Sequence, residues 1–495
     1  MKLHRRQFLV CASGSLFAPF LARGAIAAEA ARPLPIPPLV DASNGPVTLD
    51  AIGSRADILS GAATPTLGYS QSYLGPVLRF VRGRSARLNV VNRLPFPVTS
   101  HWHGMHVPAI LDGGPQLAIA PGSNWKVELP VDQPAATLWY HSHIHGQTAR
   151  QVYGGLAGMI LVEDPDADDT GLPSDYGVDD IPLVIQDRAF SDDGSFFYTN
   201  RGPATMRGFR ADTILVNGAV RPKADVPAGL VRLRLLNGSN ARIYHLSFSD
   251  DRRFHQVASD GGLLPAPVAR EAVALAPGER IEIVADFSDG NPVTLRSGAD
   301  TNDPMLRMMG RLAPGSRSSA DSGGASSFEV MRFEPSPDRS AGVIALPTRF
   351  AGAPRPDFGE PVRSRDFALN MLAGGRGMGM RMGGGMGQMS INENGYDPLR
   401  IDVRMQEGET ELWRIRASDM AHPFHIHGTS FQVLRENGND VAFESTGLKD
   451  VILVDGEAEL LVRVAHAATD KVPFMFHCHI LEHEDAGMMG QFTVG

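Results

Sequence analysis

The chain has 495 residues, 43% hydrophobic and 20% charged, a globular composition that excludes both a wholly disordered chain and a multi-span membrane protein. A net charge of −9, from 46 Lys and Arg against 55 Asp and Glu, offers no basic footprint for nucleic acid. The length exceeds one ordinary core, and 53 Gly with 36 Pro favour many short strands and turns over long helices. Two cysteines, Cys11 and Cys478, leave no room for a disulfide framework.

In chain order, His4-Arg5-Arg6-Gln7-Phe8-Leu9, an apolar stretch to Leu21 and the small residues Ala25-Ile26-Ala27 read as a twin-arginine export signal over residues 1–27. The apolar run is too short to span a bilayer, so the expected partner is the Tat export machinery, the destination the periplasm, and no stable membrane association follows. Cleavage after Ala27 would leave Cys478 as the only thiol. In an oxidising compartment a lone thiol needs protection, such as metal ligation.

Residues 33–38 (PLPIPP) form a stiff extended leader. Beyond it, short β-rich runs alternate with Gly, Pro, Asn and Asp turns, which predicts an all-β sandwich protein. Residues 86–104, 231–248 and 410–428 share one pattern of alternating strand, turn and second strand. The pair IAPGSNWKVEL (119–129) and LAPGERIEIVADF (275–287) supports the same internal repeat. Three related domains are expected, over 40–165, 180–335 and 366–495. The acidic stretch 164–180 and the Pro- and Arg-rich stretch 336–365 link them, and 313–327 is a flexible insertion in the second. The middle repeat keeps only His245 where the others carry histidine pairs, and is expected to be a structural spacer.

Ten of the sixteen histidines fall in four clusters. These are His101-Trp102-His103, His141-Ser142-His143, His422-Pro423-Phe424-His425-Ile426-His427, and His477-Cys478-His479 followed by His483. On a strand, residues two apart share a face, so each H-x-H pair offers two imidazoles to one pocket. Four pairs give eight nitrogens, more than one mononuclear centre uses. Cys478 lies between His477 and His479 and therefore faces the other way. His422 is an odd number of residues from His425 and His427 and does likewise. Cys478, His422, His483 and Met488 can therefore form a second, separate site of two imidazoles, a thiolate and a weak thioether, the set of a blue-copper electron-transfer centre.

The segment 371–389 holds six of the 19 methionines, mostly separated by glycine. It is too rich in glycine for a core helix, and its thioethers would favour Cu(I). A Gly-rich insertion with incidental methionines is the plainer alternative.

The motifs HWHG, WYHSHIHG, HPFHIHG and HCHILEHEDAGMM resemble the copper motifs of multicopper oxidases, with a likeness to bacterial copper-efflux (cuprous) oxidases and bacterial laccases. The resemblance covers essentially the whole mature chain. It implies three cupredoxin-like Greek-key β-sandwich domains and four coppers. His422, Cys478, His483 and Met488 would hold a type 1 copper, and His101 and His425 a type 2 copper. His103, His141, His143, His427, His477 and His479 would hold a type 3 pair. All twelve ligand positions are filled, unlike in members that have lost copper and serve as scaffolds. The resemblance further implies reduction of dioxygen to water, with Asp112 and Glu484 supplying protons. A turn residue at Asp112 and a solvated acid at Glu484 are the alternatives. The reductant would be Cu(I), in service of copper tolerance, or else a small organic molecule, a phenol or aromatic amine. Candidate Cu(I) ligands are Asp419, Met420, Met378, Met380, Met382, Met386 and Met389.

Overall fold

The repeating alternation of apolar and polar residues folds as expected: strands carry almost all regular structure, and no helix among the described residues exceeds seven residues. The computed structural model describes residues 32–167, 170–302, 327–339, 341–371 and 389–495. The export signal, nearly all of 313–327, and Met378, Met380, Met382 and Met386 lie outside them. Among the described residues no helix is long and apolar enough to cross a membrane.

Two sheets face each other in the first part of the chain. One has the order Leu39–Asp41, Val77–Val81, Ala157–Glu163, Ala136–His141, His101–His103; the other runs Ala62–Tyr69, Val47–Leu59, Ser85–Asn92, Asn124–Pro130. Parallel and antiparallel pairs mix within both, so strands return by crossovers in the Greek-key manner. Leu49, Phe80, Leu88, Val90, Trp102, Leu138 and Tyr140 fill the space between them. A second sandwich follows. Its larger sheet centres on Asp180–Phe190, Leu230–Asn237 and Arg280–Asp286, and its smaller one on Phe328–Ser336, Val293–Ser297 and Tyr244–Phe248. Three of the strands that form it belong to the repeat seen in the sequence.

In the last part, the 17-residue strand Thr410–Ile426 organises everything. Its first half pairs in parallel with Arg363–Asn370, and its last residues pair antiparallel with Phe474–Cys478. Between them the pairing with Val451–Arg463 shifts register from Ala417 to His422, so one strand serves both layers. Trp413, Ile415, Phe424, Phe476 and Phe492 pack inside.

The extended leader is docked rather than free. Leu34 N–H donates to Lys223 O at 2.7 Å, and Leu34 joins the apolar core of the second sandwich.

Candidate metal centre

Strand register builds the site. His101 stands directly opposite His141 and Trp102 opposite Tyr140. Alternation therefore sends Trp102 and Tyr140 into the first core and the imidazoles to the other face. The last part repeats the device. His425 stands opposite His477 and Phe424 opposite Cys478, with Phe424, Ile426, Phe476 and Cys478 in the core. The two histidine faces meet: the His101 and His427 rings stack at 3.9 Å, and those of His103 and His425 at 3.7 Å.

The eight histidines are buried. Most turn one ring nitrogen outward to a fixed acceptor, which sets the tautomer. His427 Nδ1–H donates to Asp112 Oδ2 at 2.8 Å, His101 Nδ1–H to Asp112 O at 3.0 Å, and His141 Nδ1–H to Ser142 O at 2.9 Å. His477 Nδ1 lies 3.1 Å from Cys478 O and 3.3 Å from Glu484 Oε2, and His143 Nδ1 lies 3.5 Å from Glu484 Oε1. The other nitrogens converge. Nε2 of His477 is 3.2 Å from Nε2 of both His143 and His427. Three groups, His143/His427/His477, His103/His141/His479 and His101/His103/His425, each bring ligand atoms within 4.8 Å of one another.

Burial, reinforced by neighbouring imidazoles, holds His103, His141, His143, His425, His427 and His479 well below the usual histidine range. Neutral imidazole is the form that binds metal. Nε2 of His101, His141 and His425 and both ring nitrogens of His479 are buried with no hydrogen-bond partner among the described residues. Buried lone pairs left unpaired cost free energy, and a cation set among them would satisfy them. These side chains fit metal ions.

On the opposite face of the Cys478 strand lies a smaller group. His422 Nδ1 is 3.3 Å from Cys478 Sγ and 3.3 Å from His483 Nδ1, and Cys478 Sγ is 3.6 Å from His483 Nδ1. The helix Leu481–Asp485 presents His483, whose Nε2–H donates to Met206 O at 3.2 Å. Met488 is buried, and its backbone bonds those of Cys478 and His483. Burial raises the Cys478 thiol and lowers His483 to about 4. A thiol raised by an apolar pocket ionises when a soft cation replaces its proton, and this donor set suits copper.

Both carboxylates singled out in the sequence reach the histidine cluster. Asp112, at the end of the short helix Ala109–Asp112, bridges His427 and His101. Glu484 is buried between His143 and His477, and burial raises it well above the usual carboxylate range. Met420 and Met389 are fully buried, in the same apolar cluster as Met488, and Asp419 is half-buried. Sequence reasoning missed three residues. Asp450 holds His103 and His425, Arg280 holds Asp450, and Asn302 forms a pair of 2.8 Å hydrogen bonds with the backbone of Ala421 beside His422. Only the APGER repeat carried any signal for them.

Fold and donor set together define a copper protein of cupredoxin-like domains, and the chain belongs to the multicopper oxidase family. Multicopper oxidase family models match residues 53–167 and 371–495. Among solved structures, a laccase-like multicopper oxidase, CueO, from Ochrobactrum sp. shares 39% identity, covering 94% of this chain and all of that one, with TM-score 0.82. McoA from Aquifex aeolicus shares 29% at TM-score 0.80, covering 94% and 100%. Curated relatives carry another name: the cell division protein FtsP of Salmonella typhimurium is 38% identical over all of this chain and 99% of its own, and that of Yersinia pestis 40% over 100% and 98%.

Proposed function

We propose that the chain is a periplasmic, Tat-exported oxidase that takes electrons singly from Cu(I), in service of copper tolerance, and uses them to reduce dioxygen to water. Type 1 copper would sit on His422, Cys478, His483 and Met488, and type 2 on His101 and His425. The type 3 pair would take His103/His141/His479 and His143/His427/His477. Bound there, the four coppers supply one-electron transfer and the multielectron chemistry of dioxygen.

The protein's own contribution is position and protons. Cys478 is the observation that carries the reading: its sulfur belongs to one group of ligands while its bonded neighbours His477 and His479 belong to the other. That gives electrons a short covalent route. Glu484, whose carboxyl burial raises well above the usual range, lies 3.5 Å from His143 Nδ1 and 3.3 Å from His477 Nδ1, where it would hand on protons. Asp112 accepts from His427 and orients it. Domains over 40–165, 180–335 and 366–495 would then place the histidine cluster between the first and the third.

The reductant is settled by comparing steady-state rates on Cu(I) and on a phenol with copper-reconstituted protein. Faster turnover of Cu(I) supports the cuprous reading, and a preference for the phenol supports a laccase-like one. A second reading, a scaffold acting in cell division, is favoured by the full-length likeness to FtsP. A folded chain that stays colourless and copper-free after reconstitution would establish that reading and remove the oxidase.

A further inference from the structure

The middle sandwich contributes no candidate metal ligand among the described residues, yet it reaches the histidine cluster. The contact comes from Ala276-Pro277-Gly278-Glu279-Arg280, the second copy of the repeat whose first copy reads Ala120-Pro121-Gly122-Ser123-Asn124. We infer that Arg280 is a positioning residue for the cluster, acting through Asp450 to fix His103 and His425. The inference rests on the copper reading above.

Asp450 controls both of those stacked histidines. Its Oδ1 lies 3.1 Å from His103 Nε2, and its backbone oxygen accepts from His425 Nδ1–H at 2.7 Å. The two contacts select opposite tautomers, leaving Nδ1 of His103 and Nε2 of His425 as the inward atoms. Neither of those atoms has a hydrogen-bond partner among the described residues. Asp450 therefore decides which nitrogen of each ring faces the metal, one ring from each end of the chain.

Arg280 in turn fixes Asp450. A guanidinium has five N–H groups in a rigid planar fork, and here five acceptors meet it. Nη1 and Nη2 donate to Asp450 Oδ1 and Oδ2 at 2.6 and 2.5 Å. Nη1 also donates to Gly278 O, Nη2 to Asp260 O, and Nε to Thr137 O of the first sandwich, each at 3.1 Å. Arg280 and Asp450 are both fully buried. One side chain thus ties residues from all three parts of the chain to one carboxylate.

The surrounding backbone is cleared for this. A Cβ on Gly104, the glycine that closes HWHG, would lie 2.7 Å from Asp450 Oδ2 and 2.8 Å from Arg280 Nη2. One on Gly278 would lie 2.8 Å from the His479 ring. Both glycines also have positive φ, 91° and 83°.

The test compares copper-loaded wild type with Arg280→Met, Arg280→Lys, Asp450→Asn and the control Arg234→Met. Arg234 is another buried arginine of the middle sandwich, bound to Asp180 and Glu282. Folding of each copper-free variant is checked by thermal unfolding. Arg280→Met should keep the blue absorption of the Cys478 site, lose affinity for the histidine-bound copper by about 10–100-fold, and change the type 2 electron paramagnetic resonance signal. Arg280→Lys should restore the signal only in part, since an ammonium cannot span both carboxylate oxygens. Arg234→Met should lower the melting temperature and leave the signal alone. Should Arg280→Met fail to fold, Asp450→Asn carries the same expectation. Full copper loading with an unchanged signal in the folded variants, or an equal change in Arg234→Met, overturns the inference alone. A wild type that takes up no copper overturns the copper reading and the inference with it.

Discussion

The two ligand groups differ in how the chain assembles them. His422, Cys478, His483 and Met488 come from one stretch of the last sandwich, where Cys478 and Met488 lie in its core, so all four are placed by the packing of one part of the chain. The eight-histidine cluster draws His101, His103, His141 and His143 from one end and His425, His427, His477 and His479 from the other. It exists only when two sandwiches meet, and they bond each other directly, as where Thr148 and Ala149 N–H donate to the Asp485 carboxylate. A local site tests side-chain packing; a two-ended site tests how domains meet.

Replacing Cys478, which sits in the first group and is bonded to His477 and His479 of the second, has the largest effect. Cys478→Ser should abolish blue absorption and turnover while the histidine cluster keeps its copper, read by metal analysis and absorption. Loss of copper from both groups would mean that they do not assemble separately. Next comes Glu484, the carboxylate proposed to carry protons to the two-ended site. Glu484→Gln should lower turnover by about 10²–10⁴-fold with the blue absorption intact, checked by steady-state kinetics alongside the visible spectrum. An unchanged rate would return Glu484 to a structural role.

The local site has one contact from outside its own sandwich that can be removed cleanly. Asn302→Ala breaks both hydrogen bonds to Ala421 and leaves the peptide beside His422 unsatisfied. The cost should be about 1–3 kcal/mol, seen as a lower melting temperature and a shifted reduction potential of the blue copper. Unaltered potential with lowered stability would show that the local site is self-sufficient.

The smallest effect at neutral pH concerns an ion-pair joint between the first and second sandwiches. Glu282 binds Arg232 and Arg234 and accepts from Thr137 of the first sandwich. Although burial pushes it up, these partners win and hold its carboxyl down at about 2, against an ordinary value of 4.5. A depressed carboxyl contributes stability that is complete above its unfolded value and lost as pH falls through the folded one. Copper-free protein should therefore lose stability between about pH 4.5 and 2, and Glu282→Gln should flatten that slope while destabilising the protein at neutral pH.

The sequence made the local chemistry legible because it obeys a two-residue period. His101 and His103 on one face, Cys478 turned away from His477 and His479, and His422 opposed to His425 all follow from alternation, and the structure keeps each. Asp112 and Glu484 fall beside the histidines that the family resemblance implied. Alternation says nothing of what meets across domains. Arg280 and Asp450 are 170 residues apart and Asn302 and Ala421 are 119 apart, with no spacing rule to join them. Met389 read as a soft-ion ligand from the Met-rich composition of 371–389 and Met420 from its place before His422; the structure buries both in the apolar cluster that also holds Met488, a placement no composition or spacing announces.

His143 and His477, whose nitrogens nearly touch, are 334 residues apart. At about 5–20 residues per second, a ribosome needs on the order of 20–70 s to travel from one to the other. Until His425 and His427 are made, late in that interval, the growing chain carries only half of the cluster, four imidazoles without their partners. The order of synthesis thus leaves the cluster incomplete until His479 is made.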